Sequence, residues 1–427
     1  MRTTAHLSVN VDGVRKGEPF PVARQTNPLF THFIQTHFTA GTQEQFFEHI
    51  VEPLSYALTR ATFNYLFHSL KKGMYVQIRG GRVRTFLPFS KVDFCNDWGA
   101  QLQYTKEQLL EVERREGRAP PAASSSASAS LPLPPSVERN PRLWRANGGL
   151  IRYETPPVEG NASAEPLSHL LDALCAERAV PDMDFFLNRR DFPVLRADRM
   201  HPYPWLFASP PELPLVAPGA ELLPVASMAK THGFDDVLVP TWDDWARVCA
   251  EEGFFFKKTP PQYQPSDDHV GFRPSARPWR DKKDLAVFRG TSTGLGVTAA
   301  TNLRIQLAQM ALAAPGHLDA GLTRWKLRPR VHGGRVQLVD EALTQSIPLV
   351  PPLTPEEQSE FRYVVHVDGN VAAFRLPLEL AFGSVILKMP SSFQCWWTPL
   401  LEEYVHYIPV TPETLLDRIE WCREHPE

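Results

Sequence analysis

Apolar and polar positions along this chain follow two rhythms. Met74-Tyr-Val-Gln-Ile-Arg-Gly-Gly-Arg-Val-Arg-Thr-Phe-Leu-Pro-Phe alternates on both sides of Gly80-Gly81, which predicts a β-hairpin. Before it, Gln43 to Leu70 carries apolar spacing suited to a helix. Leu167 to Arg178 predicts a second helix, Phe185-Phe-Leu-Asn a strand, and Arg189-Arg-Asp-Phe-Pro a turn leaving it. Further on the rhythm changes to short unbroken apolar runs: Asp236-Val-Leu-Val-Pro, Ala286-Val-Phe, Tyr363-Val-Val-His-Val and Ser384-Val-Ile-Leu-Lys. Helical stretches lie between several of these runs, which is the pattern of a parallel α/β sheet covered on both faces.

The connections suggest the division. Tyr104 to Glu116 reads as a charged helix, and the Pro/Ala/Ser segment at about 117–138 is low-complexity, predicting a disordered excursion from one domain. The Pro-rich stretch Pro202 to Pro218 is the best boundary. The expected organisation is an N-terminal domain over 1–220 and a second domain over 221–410. A C-terminal helix in 411–427 is expected to pack back toward the N-terminal domain. At 427 residues, two separate cores are affordable.

A formal charge of -3 argues against an electrostatic grip on nucleic acid or an anionic membrane. The five cysteines are scattered without metal-site or redox spacing, and the histidines occur singly, so no metal is assigned. No apolar run is long enough to span a bilayer, and the first residues lack the apolar core of a signal peptide. The expectation is a cytoplasmic protein, in the host cytoplasm if its source is viral.

Candidate chemistry concentrates after the Ala286 run. Phe288-Arg-Gly-Thr-Ser-Thr-Gly-Leu-Gly is a Gly/Ser/Thr loop leading into a helix, and such loops present backbone N–H groups to phosphate. Arg289 and Arg304 add charge. Gly294-Leu-Gly-Val-Thr-Ala299 also matches the dinucleotide fingerprint formally, which leaves a nicotinamide-dependent oxidoreductase as an alternative. The acidic residue at the required offset, Asp319, has no strand predicted before it. Asp182-Met-Asp184 resembles a manganese-binding Asp-x-Asp, with capping or strand-edge roles as the competing reading; Asp243-Asp244 suits a helix N-cap pair. Asp191, at the carboxyl end of a strand beside Arg190, suits either a general base or a structural ion pair. Asp368-Gly-Asn-Val-Ala-Ala-Phe-Arg375 repeats the strand–loop–helix plan with an arginine fit for a diphosphate, against a surface arginine at a helix start.

Taken in order, these segments resemble glycosyltransferase family 90, the protein O-glucosyltransferases and capsule-associated xylosyltransferases. The segments that carry the resemblance are Pro181-Asp-Met-Asp-Phe-Phe-Leu-Asn-Arg-Arg-Asp-Phe-Pro, Asp236-Val-Leu-Val-Pro-Thr-Trp, Pro278-Trp with Val287-Phe-Arg-Gly-Thr, Val364-Val-His-Val-Asp-Gly-Asn-Val-Ala-Ala-Phe-Arg, Phe382-Gly-Ser-Val-Ile-Leu-Lys and Val405-His-Tyr-Ile-Pro-Val. Phe86-Leu-Pro-Phe-Ser and Trp144-Arg-Ala-Asn are similar to members carried by large DNA viruses.

The resemblance implies an α/β protein of GT-B type, with two facing Rossmann-like domains and the active site in the cleft between them. It implies an inverting transferase that moves glucose or xylose from a UDP-sugar to a glycan or protein hydroxyl and requires no metal or other cofactor. A non-catalytic UDP-sugar binder is a further alternative. By position, Asp191 matches the family's catalytic base and Thr291 the hydroxyl that touches the donor. Arg304 matches a donor arginine after a longer loop, and Asn370, Val371, Ala372, Ala373, Phe374 and Arg375 match the segment around the diphosphate. Arg289, Gly290 and Ser292 complete the expected donor side, with Arg190 and Trp242 in support. Relatives of the O-glucosyltransferase type carry serine where this chain has Ala373. They also carry secretory signals, so a protein acceptor of their kind is in doubt.

Overall fold

In the computed structural model, residues 47, 50, 52–91, 144–146, 149–153, 164–200, 202, 220–249, 277–327, 329–332 and 335–426 are described. The chain forms a helix α1 (Tyr56–Asn64) that runs on as a wider π-helical turn (Tyr65–Leu70), then the hairpin β1 (Lys72–Arg79) and β2 (Arg82–Lys91). The hairpin is the one expected, with Gly80 and Gly81 both at positive φ in the turn. The helix is shorter than expected. Glu52 has φ 49 and Pro53 follows it, a pair that stops one continuous helix, and Ser55 caps the new start by accepting from the Leu58 N–H. The predicted helix at 104–116 and the low-complexity segment lie outside the described residues.

β3 (Trp144–Ala146) and β4 (Gly149–Tyr153) extend the hairpin's outer edge. Helix α2 (Ala164–Glu177) leads to β5 (Met183–Leu187), then β6 (Val225–Ser227), β7 (Ala229–Lys230), β8 (Val237–Leu238) and helix α3 (Trp242–Cys249). The first sheet has seven strands in the order β3-β4-β2-β1-β5-β6-β8. It is antiparallel from β3 to β5 and parallel from β5 to β8. The strand expected at Asp236 therefore belongs to the first sheet, and sheet membership changes beyond Leu238.

The second sheet comprises β9 (Lys283–Thr291), β10 (Leu318–Arg324), then, after β11 (Arg330–His332) and β12 (Arg335–Gln337), β13 (Phe361–His366), β14 (Val385–Lys388) and, after β15 (Gln394–Cys395), β16 (Ile408–Pro409). Its order is β10-β9-β13-β14-β16, parallel at every pairing. Helices α4 (Leu303–Ala313), α5 (Glu341–Ser346), α6 (Pro355–Gln358), α7 (Leu376–Leu380) and α8 (Leu415–Glu424) connect or follow these strands. Successive strand residues face opposite layers: Ala286, Phe288, Tyr363 and Val365 pack with α4 and α8, while Val287 and Val364 pack with α7. Leu415, Ile419 and Cys422 of α8 share the second sheet's core, which corrects the expectation that this helix packs back toward the N-terminal part.

The two sheets are joined through one apolar cluster that includes Tyr75 and Phe186 from the first and Val287 and Val364 from the second. β7 also pairs with β15, and the Trp396 indole N–H donates to Asp244 at the start of α3.

Candidate active site

Asp191 lies four residues beyond β5, in a loop held by its neighbours. Asn188 sets the turn: its Oδ1 accepts the Arg190 N–H at 2.8 Å, and its amide donates to the Phe192 carbonyl at 2.6 Å and to Ser227 Oγ at 3.0 Å. Buried Asp236 accepts the N–H groups of Val194 and Leu195 and the Ser227 hydroxyl, fixing the exit of the same loop. Arg190 points into the core and donates to the Leu70 carbonyl from Nε and Nη2, at 3.2 and 2.6 Å. The Asp191 side chain reaches solvent at its outer edge. Protein crowding the rest of it pushes the carboxyl above the ordinary carboxylate range, while the charges of Lys72 and Arg190 pull it partway back.

The second cluster forms where the parallel sheet reverses its winding. From β9 the chain crosses to β10 on one side and later to β13 on the other, so the carboxyl ends of β9 and β13 flank the switch point, the place where open α/β sheets bind ligands. A cavity of about 490 Å³ opens there, with Gly290, Thr291, Arg304 and Arg375 in its wall. The Thr291 hydroxyl makes no hydrogen bond among the described residues.

Arg304, in the first turn of α4, ties the two loops together. It donates to the Thr291 carbonyl at 3.1 Å, Thr293 Oγ1 at 2.8 Å, and the carbonyls of Val367 and Asp368 at 3.0 Å each. Burial, and then repulsion from Arg375, push its pKa down to about 9, which leaves it cationic at neutral pH. Gly369 permits this approach: a Cβ there would stand 2.6 Å from Thr293 Oγ1. Asn370 accepts the Gly294 N–H at 2.8 Å and Asp368 the Ala373 N–H at 2.8 Å, so the second loop is tied both to the first and to itself. Arg375 donates from Nη1 to the Arg289 carbonyl at 2.8 Å and lies 5.3 Å from the Phe288 ring centroid.

The sequence model of glycosyl transferase family 90 matches residues 167–427, more than half of the chain. The chain belongs to glycosyltransferase family 90. It is 34% identical over 443 residues to Uncharacterized protein 035R of Invertebrate iridescent virus 3, covering 93% of this chain and 39% of that protein. It is 28% identical over 252 residues to Protein O-glucosyltransferase 2 of Danio rerio, covering 58% of this chain and 41% of that protein. Against O-glucosyltransferase rumi of Drosophila melanogaster it is 26% identical over 252 residues, covering 58% and 51%. The chain thus spans about half or less of the length of these relatives.

Of the residues expected at the donor side, the structure gathers Arg289, Gly290, Thr291, Arg304 and Arg375 on one cavity and sends others elsewhere. Arg289 borders the cavity with its guanidinium pinned toward β10, where Asp319 takes its Nη2 at 2.6 Å, and its carbonyl accepting from Arg375. Ser292 is fully buried, with its hydroxyl accepting the Lys326 N–H at 2.8 Å. Val371 is buried in the shared cluster, Ala372 and Phe374 pack against it, and Ala373 is used through its N–H. Trp242 packs against the first sheet's core. Asp191 is not in the wall of the cavity; the next residue, Phe192, belongs to the same apolar cluster as Val371 and Leu376.

The remaining alternatives also acquire structural partners. Asp319, expected without a strand, sits at the beginning of β10 and is held by Arg289. Gly294 and Gly296 fit against Asn302 and Thr301: a Cβ on Gly296 would lie 2.1 Å from the Thr301 carbonyl oxygen. Asn302 caps α4 by accepting from the N–H groups of Arg304 and Ile305. Ala299 packs beside the core of α4. Asp182 accepts the Gly80 N–H at 2.7 Å, and Asp184 pairs with Arg79 at 2.8 Å and accepts the Leu54 N–H. Three residues escaped sequence reasoning: Lys72 near Asp191, and His366 and Glu379 under Arg375. A glutamate four residues after Arg375, at helical i,i+4 spacing, was the available signal for Glu379.

Proposed function

We propose that the chain is an inverting glycosyltransferase that moves a sugar, glucose or xylose, from a UDP-sugar to a hydroxyl acceptor. The cavity at the switch point of the second sheet, walled by Thr291, Arg304 and Arg375, carries this reading. In it the diphosphate lies against Arg375 and the backbone around Gly290, and the Thr291 hydroxyl donates to the donor. Asp191 removes the acceptor's proton as the acceptor oxygen attacks the anomeric carbon from the face opposite UDP. One bond forms as the bond to UDP breaks, so a single displacement inverts the configuration. Charge developing on the departing diphosphate is met by guanidinium groups already in place, the form of stabilisation that contributes most to such steps.

The first sheet would supply the acceptor side and the second the donor side, in the GT-B manner, with the site between them. No metal is required in this reading, since the arginines take its place and Asp182 and Asp184 are engaged by Gly80, Leu54 and Arg79. Among the described residues, no helix is long and apolar enough to cross a membrane. A thermal-shift panel of UDP-sugars against NAD(H), followed by assay of UDP release, tests the reading. Stabilisation by UDP-sugars with slow UDP release is expected. Stabilisation by NAD(H) alone would overturn the reading, and stabilisation by UDP-sugars without release or transfer would reduce the protein to a binder.

A further inference from the structure

Beneath Arg375 lie two groups that the proposed chemistry does not itself demand. Glu379, one turn further along α7, is 1% exposed, and its Oε1 stands 2.7 Å from Arg375 Nε. This is a close ion pair whose hydrogen is not aligned for a hydrogen bond. The other oxygen, Oε2, is 2.5 Å from Nδ1 of His366, itself buried at the end of β13. His366 Nε2 is 3.8 Å from Asp368 Oδ1, so the imidazole lies between two carboxylates. Burial opposes ionisation of Glu379. His366 first, then Arg375 and Arg304, overcome that and hold its carboxyl below the usual range.

A carboxylate at such a position has a large desolvation cost that packing does not explain. Leu376 and Leu378 already fill the apolar face of α7. What Glu379 does achieve is geometric. It holds the Nε edge of Arg375 while the Arg289 carbonyl holds Nη1, and among the described residues Nη2 has no partner. The guanidinium fork is held at Nε and Nη1, and Arg375 borders the cavity.

We propose that Glu379, steadied by His366, is a positioning residue that aims Arg375 at the diphosphate of a nucleoside-diphosphate donor. The role rests on the cavity being a nucleotide site. Its test is a double-mutant cycle read by calorimetry with UDP and with uridine, which lacks the phosphates. Glu379→Gln keeps the shape and a hydrogen bond to His366, and should weaken UDP about tenfold while leaving uridine unchanged. Arg375→Ala should weaken UDP at least as much, and the double variant should be no worse than Arg375→Ala alone. Should Glu379→Gln lose its melting transition, His366→Gln serves instead, with a smaller loss for UDP and again none for uridine. Additive losses, equal losses for UDP and uridine, or unchanged UDP affinity would each overturn the role. A parent protein that binds no UDP overturns the nucleotide reading along with it, whereas a parent that binds UDP beside an unaffected Glu379→Gln overturns the role alone.

Discussion

The loops that leave β5 and β13 use the same parts with opposite polarity. Each follows a strand in parallel pairing and carries an arginine and an aspartate within a few residues. After β5 the arginine turns inward, because the π-helical turn ends with the Leu70 carbonyl free to accept it, and Asp191 is left facing out. After β13 the aspartate turns inward, because Asp368 finds the Ala373 N–H, and Arg375 is left at the cavity. The partner offered by the core decides which charge is presented. An outward carboxylate suits proton removal and an outward guanidinium suits an anion, which is the division of labour that the proposed function assigns to the two loops.

The comparison breaks most sharply at Asp191. Asp191→Asn should lower the transfer rate by about 10²–10⁴-fold, the usual contribution of a general base, while UDP affinity by calorimetry stays at the parent value. Parent-like transfer would move the base elsewhere. Next in size is Gly296→Ala. Its Cβ would meet the Thr301 carbonyl oxygen at 2.1 Å, forcing the β9–α4 loop apart at a cost of about 1–3 kcal/mol. A lower melting temperature and weaker UDP binding should appear together, since that loop carries Thr291 and Thr293. An unchanged melting temperature would show that the glycine is not needed for packing.

These expectations mark how far the sequence was readable. The hairpin at Gly80-Gly81, the parallel strands, the loop carrying Asp191 and the strand–loop–helix units after β9 and β13 were legible, because local period and turn residues specify them. The fates of Arg289 and Ser292 were not. Where their side chains are held depends on Asp319, 30 residues away, and on Lys326, 34 away, contacts that only the β10 pairing creates. The same holds for β8. Two residues of extended chain in Asp236-Val-Leu-Val-Pro look alike in either sheet, and only pairing with β6 assigns them.

A smaller effect is expected at Lys72, and it sharpens the β5 side alone. Burial raises the Asp191 carboxyl, and Lys72 lowers it. The proposed base acts in its ionised form, so the acid limb of kcat/KM should lie above the ordinary carboxylate range. Lys72→Met removes a positive charge, raises the carboxyl further, and should move that limb to higher pH by up to about one unit. A limb that stays put or moves downward would remove Lys72 from the electrostatics of the site.

The smallest change expected is at Asp182, and its smallness is the point. Asp182 and Asp184 bracket the beginning of β5, while Asp191 lies beyond its far end. Asp182 accepts one hydrogen bond from the hairpin turn, and Asp184 is committed to Arg79 and the Leu54 N–H. Asp182→Asn keeps an acceptor in place, so stability should change by no more than about 0.5 kcal/mol, as for most surface substitutions. Transfer should be unaltered, and parent and variant should respond alike to EDTA. A loss of transfer with Asp182→Asn, matched by loss in EDTA, would mean that this end of β5 holds a metal and that the outward carboxylate beyond its other end does not act alone. Unaltered rates would leave the division of labour proposed for the β5 and β13 loops intact.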